Sequence, residues 1–216
     1  MGGVAMKIGL IGATGKVGQQ VLQEALNRGL DVTAIVRNKA KMEDATIDVL
    51  EKDAFQLTKE DLQPFDVIVN AFGAPLGEEQ PHVELGQQLI QALEKTDKRL
   101  IVVGGAGSLY VDKNKQMTVM ETPDFPHEFV PTARGQARNL QDLKDTQQLQ
   151  WTFISPSAFF DPSGARTGDY TKGEEHLLVN SGNESYISYA DYAIALVDEL
   201  ENGEHIRQRF TVVGEK

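Results

Sequence analysis

Three glycines at a spacing of three, Gly12, Gly15 and Gly18, join the apolar run KIGLI (Lys7–Ile11) to KVGQQVLQEALNR (Lys16–Arg28). In the second stretch Val17, Val21, Leu22 and Ala25 share one face at helical spacing. A buried strand that turns through glycines directly into a helix allows few folds. Such a turn lets backbone approach a pyrophosphate closely, and the free N–H groups at the helix N-terminus oppose its charge. Gly12 is expected to make the tight turn, Gly15 to permit the close approach, and Gly18 to let the helix pack near the sheet. The spacing is GxxGxxG rather than GxGxxG. The plainer alternative is that the glycines only shape a turn.

The rest of the chain extends the pattern. Gly29 stands where a helix C-cap favours left-handed geometry. Further strands are expected at DVTAIV (Asp31–Val36), IDVL (Ile47–Leu50), DVIVNAFG (Asp66–Gly73), RLIVVGG (Arg99–Gly105), WTFIS (Trp151–Ser155) and RFTVV (Arg209–Val213). Helical segments lie between them at TKEDLQ, at HVELGQQLIQALEK and near Thr132–Gln148. Short apolar strands alternating with amphipathic helices imply a parallel sheet covered on both faces, a doubly wound α/β (Rossmann) fold. The stretch 156–188 breaks the rhythm, and HLLVNSGNESYIS reads as a hairpin around Ser-Gly-Asn. It is expected to be a substrate-side elaboration of a single domain spanning 1–216.

The end of the second strand bears on the choice of dinucleotide. An acidic residue there would bind a ribose 2′-hydroxyl. The sequence instead reads AIVRNKAK, with Arg37 at the key position and Lys39 and Lys41 behind it. A guanidinium suits a 2′-phosphate through paired charge-assisted hydrogen bonds, so NADP(H) is expected over NAD(H). Asp53 and Ala54, after the third strand, stand where an adenine edge would rest.

Composition excludes several other functions. There are 21 basic and 32 acidic residues, a formal net charge of −11, which opposes long-range attraction to nucleic acid or to anionic membranes. No apolar run approaches the roughly 18–20 residues that span a bilayer. The chain has no cysteine, so disulfides, thiolate metal sites and thiol catalysis are out, and a cytoplasmic location is expected. The opening MGGVAM lacks the pattern of a secretory signal and reads as a short leader. The four histidines show no ligand spacing. No Gly-x-Ser-x-Gly nucleophile elbow is present.

IGATGKVG, AIVRN, NAFG and VVGGAGSL together resemble an atypical short-chain dehydrogenase/reductase. TPDFP, WTFISPSAFFDP, RTGDY and ISYADYAIALVDELE narrow the resemblance to bacterial NAD(P)H-flavin reductases, relatives of biliverdin-IXβ reductase and of NmrA-like proteins. It covers nearly the whole chain. The resemblance implies that Gly12, Thr14, Gly15, Lys16 and Val17 line the pyrophosphate turn and that Arg37 contacts the 2′-phosphate. Ala71, Phe72 and Gly73 would pass the cofactor's ribose, Gly104, Gly105 and Ser108 would lie near the nicotinamide, and Ser155 and Pro156 would touch the carboxamide.

One departure bears on mechanism. Short-chain dehydrogenases use Tyr-x-x-x-Lys, and none of the five tyrosines here has a lysine four residues on. Hydride transfer to a carbonyl leaves an alkoxide that needs a positioned acid, whereas a flavin ring takes up the charge by delocalisation. FMN, another flavin or a similar planar small molecule is therefore the expected acceptor, stacked over the nicotinamide. Tyr110, Phe159 and Phe160 are candidate walls, Phe72 a further one, and Ser108 is the candidate catalytic hydroxyl. His127 is a candidate donor or a plain surface histidine. Asp191, three residues after Ser188, reads as part of a helix cap. A non-enzymatic NADP(H)-sensing protein of the NmrA-like type is the second reading, and a sugar-nucleotide epimerase or dehydratase the third.

Overall fold

The computed structural model describes residues 5–216, so most of the expected leader lies outside the described residues. Among the described residues, ten strands and five α-helices alternate. They are β1 (Lys7–Ile11), α1 (Lys16–Asn27), β2 (Asp31–Val36), β3 (Asp48–Glu51), α2 (Lys59–Leu62), β4 (Val67–Asn70), α3 (Gln80–Leu93) and β5 (Arg99–Val103). There follow α4 (Val130–Lys144), β6 (Gln150–Ser155), β7 (Phe159–Asp161), β8 (Tyr170–Gly173), β9 (Tyr186–Ser188), α5 (Tyr189–Asn202) and β10 (Gln208–Gly214).

Eight strands form one sheet in the order β3-β2-β1-β4-β5-β6-β10-β8. Every pairing is parallel except β10 with β8, an antiparallel edge. This is the doubly wound α/β fold. Its strand order reverses at β1, which lies between β2 and β4, so a crevice opens at their carboxyl ends.

Side-chain alternation along the strands splits the core in two. Ile8, Leu10, Ala34, Val69 and Ile154 pack on one side with Val21, Ala25, Leu196 and Val197 of α1 and α5. Ile11, Ile35, Ile68, Leu100 and Phe153 pack on the other with Leu85, Leu89, Leu140 and Leu143 of α3 and α4. Both faces are dry, which is why these strands read as nearly continuous apolar runs.

The expected strand ends are trimmed for local reasons. β4 stops at Asn70 because its side-chain oxygen accepts the Phe72 N–H at 3.1 Å and turns the chain. β3 starts one residue later than expected, at Asp48. The hairpin expected around Ser181–Asn183 is corrected. A turn forms there, with Asn180 Oδ1 accepting the N–H groups of Gly182 and Glu184, each at 3.0 Å. Its flanks do not pair as strands, however. Tyr186–Ser188 instead pairs in parallel with Phe159–Asp161 as a separate two-stranded sheet. No helix among the described residues is long and apolar enough to cross a membrane.

Candidate functional site

The turn after β1 is fixed by two of its glycines. Gly12 has φ +78°, and a Cβ there would lie 2.6 Å from the Ala71 carbonyl oxygen, so the loops after β1 and β4 touch. A Cβ on Gly18 would overlap the Gly12 carbonyl. Gly15 is different. It is the N-cap of α1 with φ −72° and ψ 168°, open to any residue. The nearest atom to a Cβ there is the Gly12 carbonyl oxygen, at 3.3 Å. The chain's own packing therefore only mildly disfavours a side chain at Gly15, and its bareness keeps the space beyond the turn open. No side chain caps α1 and no acidic residue sits in its first turn, so its first N–H groups keep their capacity for an anion. Thr14 is held through its carbonyl, which accepts from the Gln19 amide at 2.8 Å, and Lys16 is exposed at the first helical position. These features fit a dinucleotide pyrophosphate.

Arg37 follows β2, two residues beyond Ile35, whose carbonyl accepts the Gly12 N–H at 3.3 Å. Its guanidinium is exposed and has no hydrogen-bond or ion-pair partner among the described residues. Asn38 shapes the following turn by accepting the Ala40 N–H, and Glu51 accepts the Lys39 N–H at 2.7 Å. Asp53 accepts the Phe55 N–H at 2.9 Å and so caps a single turn over Ala54–Gln56.

From the crevice, a cavity of about 760 Å³ runs along the carboxyl ends of the strands. The structure brings Val17, Ala71, Phe72, Gly73, Gly104, Gly105, Pro156, Phe159 and Phe160 together in its wall. Phe160 packs on Tyr189 with ring centroids 4.1 Å apart. Phe159 is 53% exposed, at the rim.

Four candidates do not reach this wall. The Ser108 hydroxyl accepts from Arg209 Nη1 at 2.8 Å and its carbonyl accepts from Nη2 at 3.2 Å. This corrects the expectation that the hydroxyl faces an acceptor. Tyr110 forms backbone bridges with Thr118 and His176 and lies against the His176 ring at 6.0 Å, away from the cavity. Ser155 is buried, accepting from Arg209 Nη1 and, through its carbonyl, from the Thr211 hydroxyl. His127 is exposed outside the cavity. Ser188 caps α5 by accepting the Asp191 N–H, but the Asp191 carboxylate turns away to hold the N–H groups of Thr167 and Gly168.

The cavity also has residues that the sequence analysis did not single out. His82 of α3 lies edge-on to Phe72, centroids 5.5 Å apart, and its Nε2 accepts the Ala74 N–H at 3.3 Å. Burial lowers its pKa to about 4, so the ring is neutral at pH 7, with its proton on Nδ1. Gln136 of α4 lies against Gly105, and Tyr189 opens α5 with its phenol pushed up by burial. His82 did carry a signal, since it starts the helical face continued by Leu85 and Leu89. Gln136 carried none.

A family model described as NAD(P)H-binding matches residues 12–202. The Bacillus subtilis protein YwnB is 57% identical over 211 residues, which are 97% of this chain and 99% of that one. The crystal structure of a "putative NADH-flavin reductase" from Streptococcus pneumoniae superposes with a TM-score of 0.92 at 44% identity, covering 98% of this chain and all of that one. An anaerobilin reductase from Escherichia coli O157:H7 shares the fold, with a TM-score of 0.71 at 19% identity over 96% of this chain and 97% of that one.

Proposed function

Since this chain belongs to the NAD(P)H-binding family, we propose that it is an NADPH-dependent oxidoreductase that passes a hydride to a flavin or a similar planar acceptor. The observation that carries this reading is the continuity of the site. Gly12 of the turn touches Ala71, Val17 of α1 lines one cavity with Ala71–Gly73, Gly104 and Gly105, and Phe72, Phe159 and Phe160 wall that cavity. Its volume of about 760 Å³ exceeds what a nicotinamide alone requires and falls in the range of small-molecule sites. The Streptococcus pneumoniae relative's name points to the same acceptor class. That name specifies NADH, so the preference for NADPH rests on the unpaired Arg37 alone.

When bound, the nicotinamide would supply the hydride, two electrons with one proton, and a second proton would come from solvent. The chain's residues bind and orient. Turn N–H groups and Arg37 hold phosphates, and the apolar walls exclude water and align the acceptor plane. Orientation then supplies most of the rate, and no dedicated acid is needed for a delocalised product anion.

The test is NADPH oxidation followed by absorbance, with FMN, riboflavin and a quinone as acceptors and NADH as the control. Turnover that prefers NADPH is expected. No turnover, with NADPH still raising the melting temperature, would replace this reading with non-enzymatic NADP(H) sensing.

A further inference from the structure

The cavity wall is mostly apolar, and most of its polar side chains are already committed to the chain. Thr132 accepts the Gly77 N–H at 3.2 Å, and Ser157 donates to the Val212 carbonyl at 2.7 Å. His82 is engaged at Nε2. Asp124, Gln136 and Tyr189 are not, and of these only Gln136 carries a carboxamide. Its carboxamide makes no hydrogen bond with any described residue, yet it lines the cavity. It lies so close to Gly105 that a Cβ there would overlap Oε1. The missing side chain at Gly105 thus leaves room for the amide beside the end of β5, where the nicotinamide is read to lie.

A carboxamide offers an acceptor and a pair of donors side by side in one plane. A ligand that displaces water from such a group in an apolar pocket must present the complement, or the amide is left unmatched at a cost in free energy. That complement is an N–H adjacent to a C=O, the edge of a cyclic imide. The pyrimidine edge of an isoalloxazine has it, since its N3–H is flanked by two carbonyls, and so either orientation of the amide serves. A quinone presents acceptors only and would leave Oε1 unpaired. Neither Tyr189, with a single hydroxyl, nor Asp124, a carboxylate that only accepts, can supply both halves of the pair.

We infer that Gln136 is a specificity-determining residue that reads the imide edge of the acceptor ring, favouring isoalloxazines over quinones. This rests on the reading of the cavity as the acceptor site.

The test is a fluorescence titration of lumiflavin and N3-methyllumiflavin against protein saturated with NADP⁺, which cannot reduce them. In the unmodified protein, N3-methylation should weaken binding on the order of tenfold, the scale of one buried hydrogen bond. In Gln136→Leu, lumiflavin should bind about as weakly, by the same hydrogen-bond argument, and N3-methylation should then change nothing more. Gln136→Met, unbranched and of similar length, repeats the test should the leucine variant fold poorly. A methylation effect of equal size in both proteins, or in neither, overturns the inference. So does a failure of lumiflavin to bind at all. Turnover separates the two ideas. With NADPH, Gln136→Leu should raise the KM for FMN and lower the KM for a quinone, because the leucine leaves no Oε1 unpaired. FMN turnover whose KM does not depend on Gln136 leaves the reductase standing and removes this inference. If no acceptor turns over, the reductase falls, and the titration still decides what Gln136 reads.

Discussion

The Arg209 guanidinium donates to the Ser108 hydroxyl at 2.8 Å and grips the carbonyl of the same residue at 3.2 Å. Arg209 is itself buried and paired with Glu175 at 2.5 Å. Ser108 thereby ties the loop after β5 to β10, and its side chain does not line the cavity. Ser108→Ala should change kcat and acceptor KM by less than about twofold, because no interaction with the acceptor is removed. Its cost should fall on stability, about 1–3 kcal/mol for a charged donor that loses one acceptor, read from urea unfolding. A loss of turnover with the fold intact would instead place the hydroxyl on the acceptor.

The glycines of the first turn should separate folding from binding. Gly18→Ala forces a methyl group into the Gly12 carbonyl and should destabilise by about 1–3 kcal/mol. Gly15→Ala meets only a 3.3 Å contact at an unstrained φ of −72°, so its stability should stay within about 1 kcal/mol. Its affinity for NADPH should nevertheless fall, on the order of tenfold or more, because the added methyl occupies the space where backbone and pyrophosphate meet. Thermal melts with and without NADPH give both quantities. If both glycines behave alike, the turn is structural and does not hold a pyrophosphate.

Arg37 should discriminate between cofactors. Charge-assisted bonds to a phosphate contribute about 1.5–3 kcal/mol, so Arg37→Ala should weaken NADPH binding by roughly 10- to 100-fold. NADH, which has no 2′-phosphate, should bind the variant about as well as it binds the unmodified protein. The measurement is the ratio of the two dissociation constants. Unchanged NADPH affinity would remove Arg37 from the site.

The parts of this architecture that were legible in the sequence are those set by neighbours along the chain. Strands such as Ile8–Ile11 and Leu100–Val102 announce themselves because both faces are buried, and the glycine turn because its three glycines lie within seven residues, although the Ala71 carbonyl that confines Gly12 is distant in sequence. The errors have long-range causes. Ser108 looked available because its partner, Arg209, lies 101 residues away. The hairpin around Asn183 was misread because Tyr186–Ser188 pairs with three residues from Phe159 to Asp161, a strand too short to carry a period. Gln136 belongs to a helix whose sequence is ordinary, and only the approach of α4 to Gly105 marks it. Phe72, Phe159 and Phe160 were candidates for the wall from their type and position, yet aromatic type alone did not distinguish them from Tyr110, whose backbone is bound elsewhere.

His82 gives the fold a pH dependence with a defined sign. In the unfolded chain its pKa is near 6.5, whereas burial lowers it to about 4 in the folded protein. Above pH 6.5 the ring is neutral in both states and contributes no slope. As the pH falls from 6.5 to 4, the unfolded chain binds the proton first, so stability falls, and below about pH 4 the loss is complete. The full difference is about 3 kcal/mol. Protonation also takes away the Nε2 lone pair that accepts the Ala74 N–H, so the loop over Gly73–Gly77 should loosen in the same window. His82→Leu keeps the contact with Phe72 but cannot titrate. Its unfolding free energy should start lower at pH 7, for want of the bond to Ala74, and then decline less steeply between pH 6.5 and 4. Carboxylates elsewhere affect both proteins alike, so the difference between the two urea-unfolding profiles isolates His82. Parallel profiles across that window would show that the imidazole is not held neutral by the cavity wall.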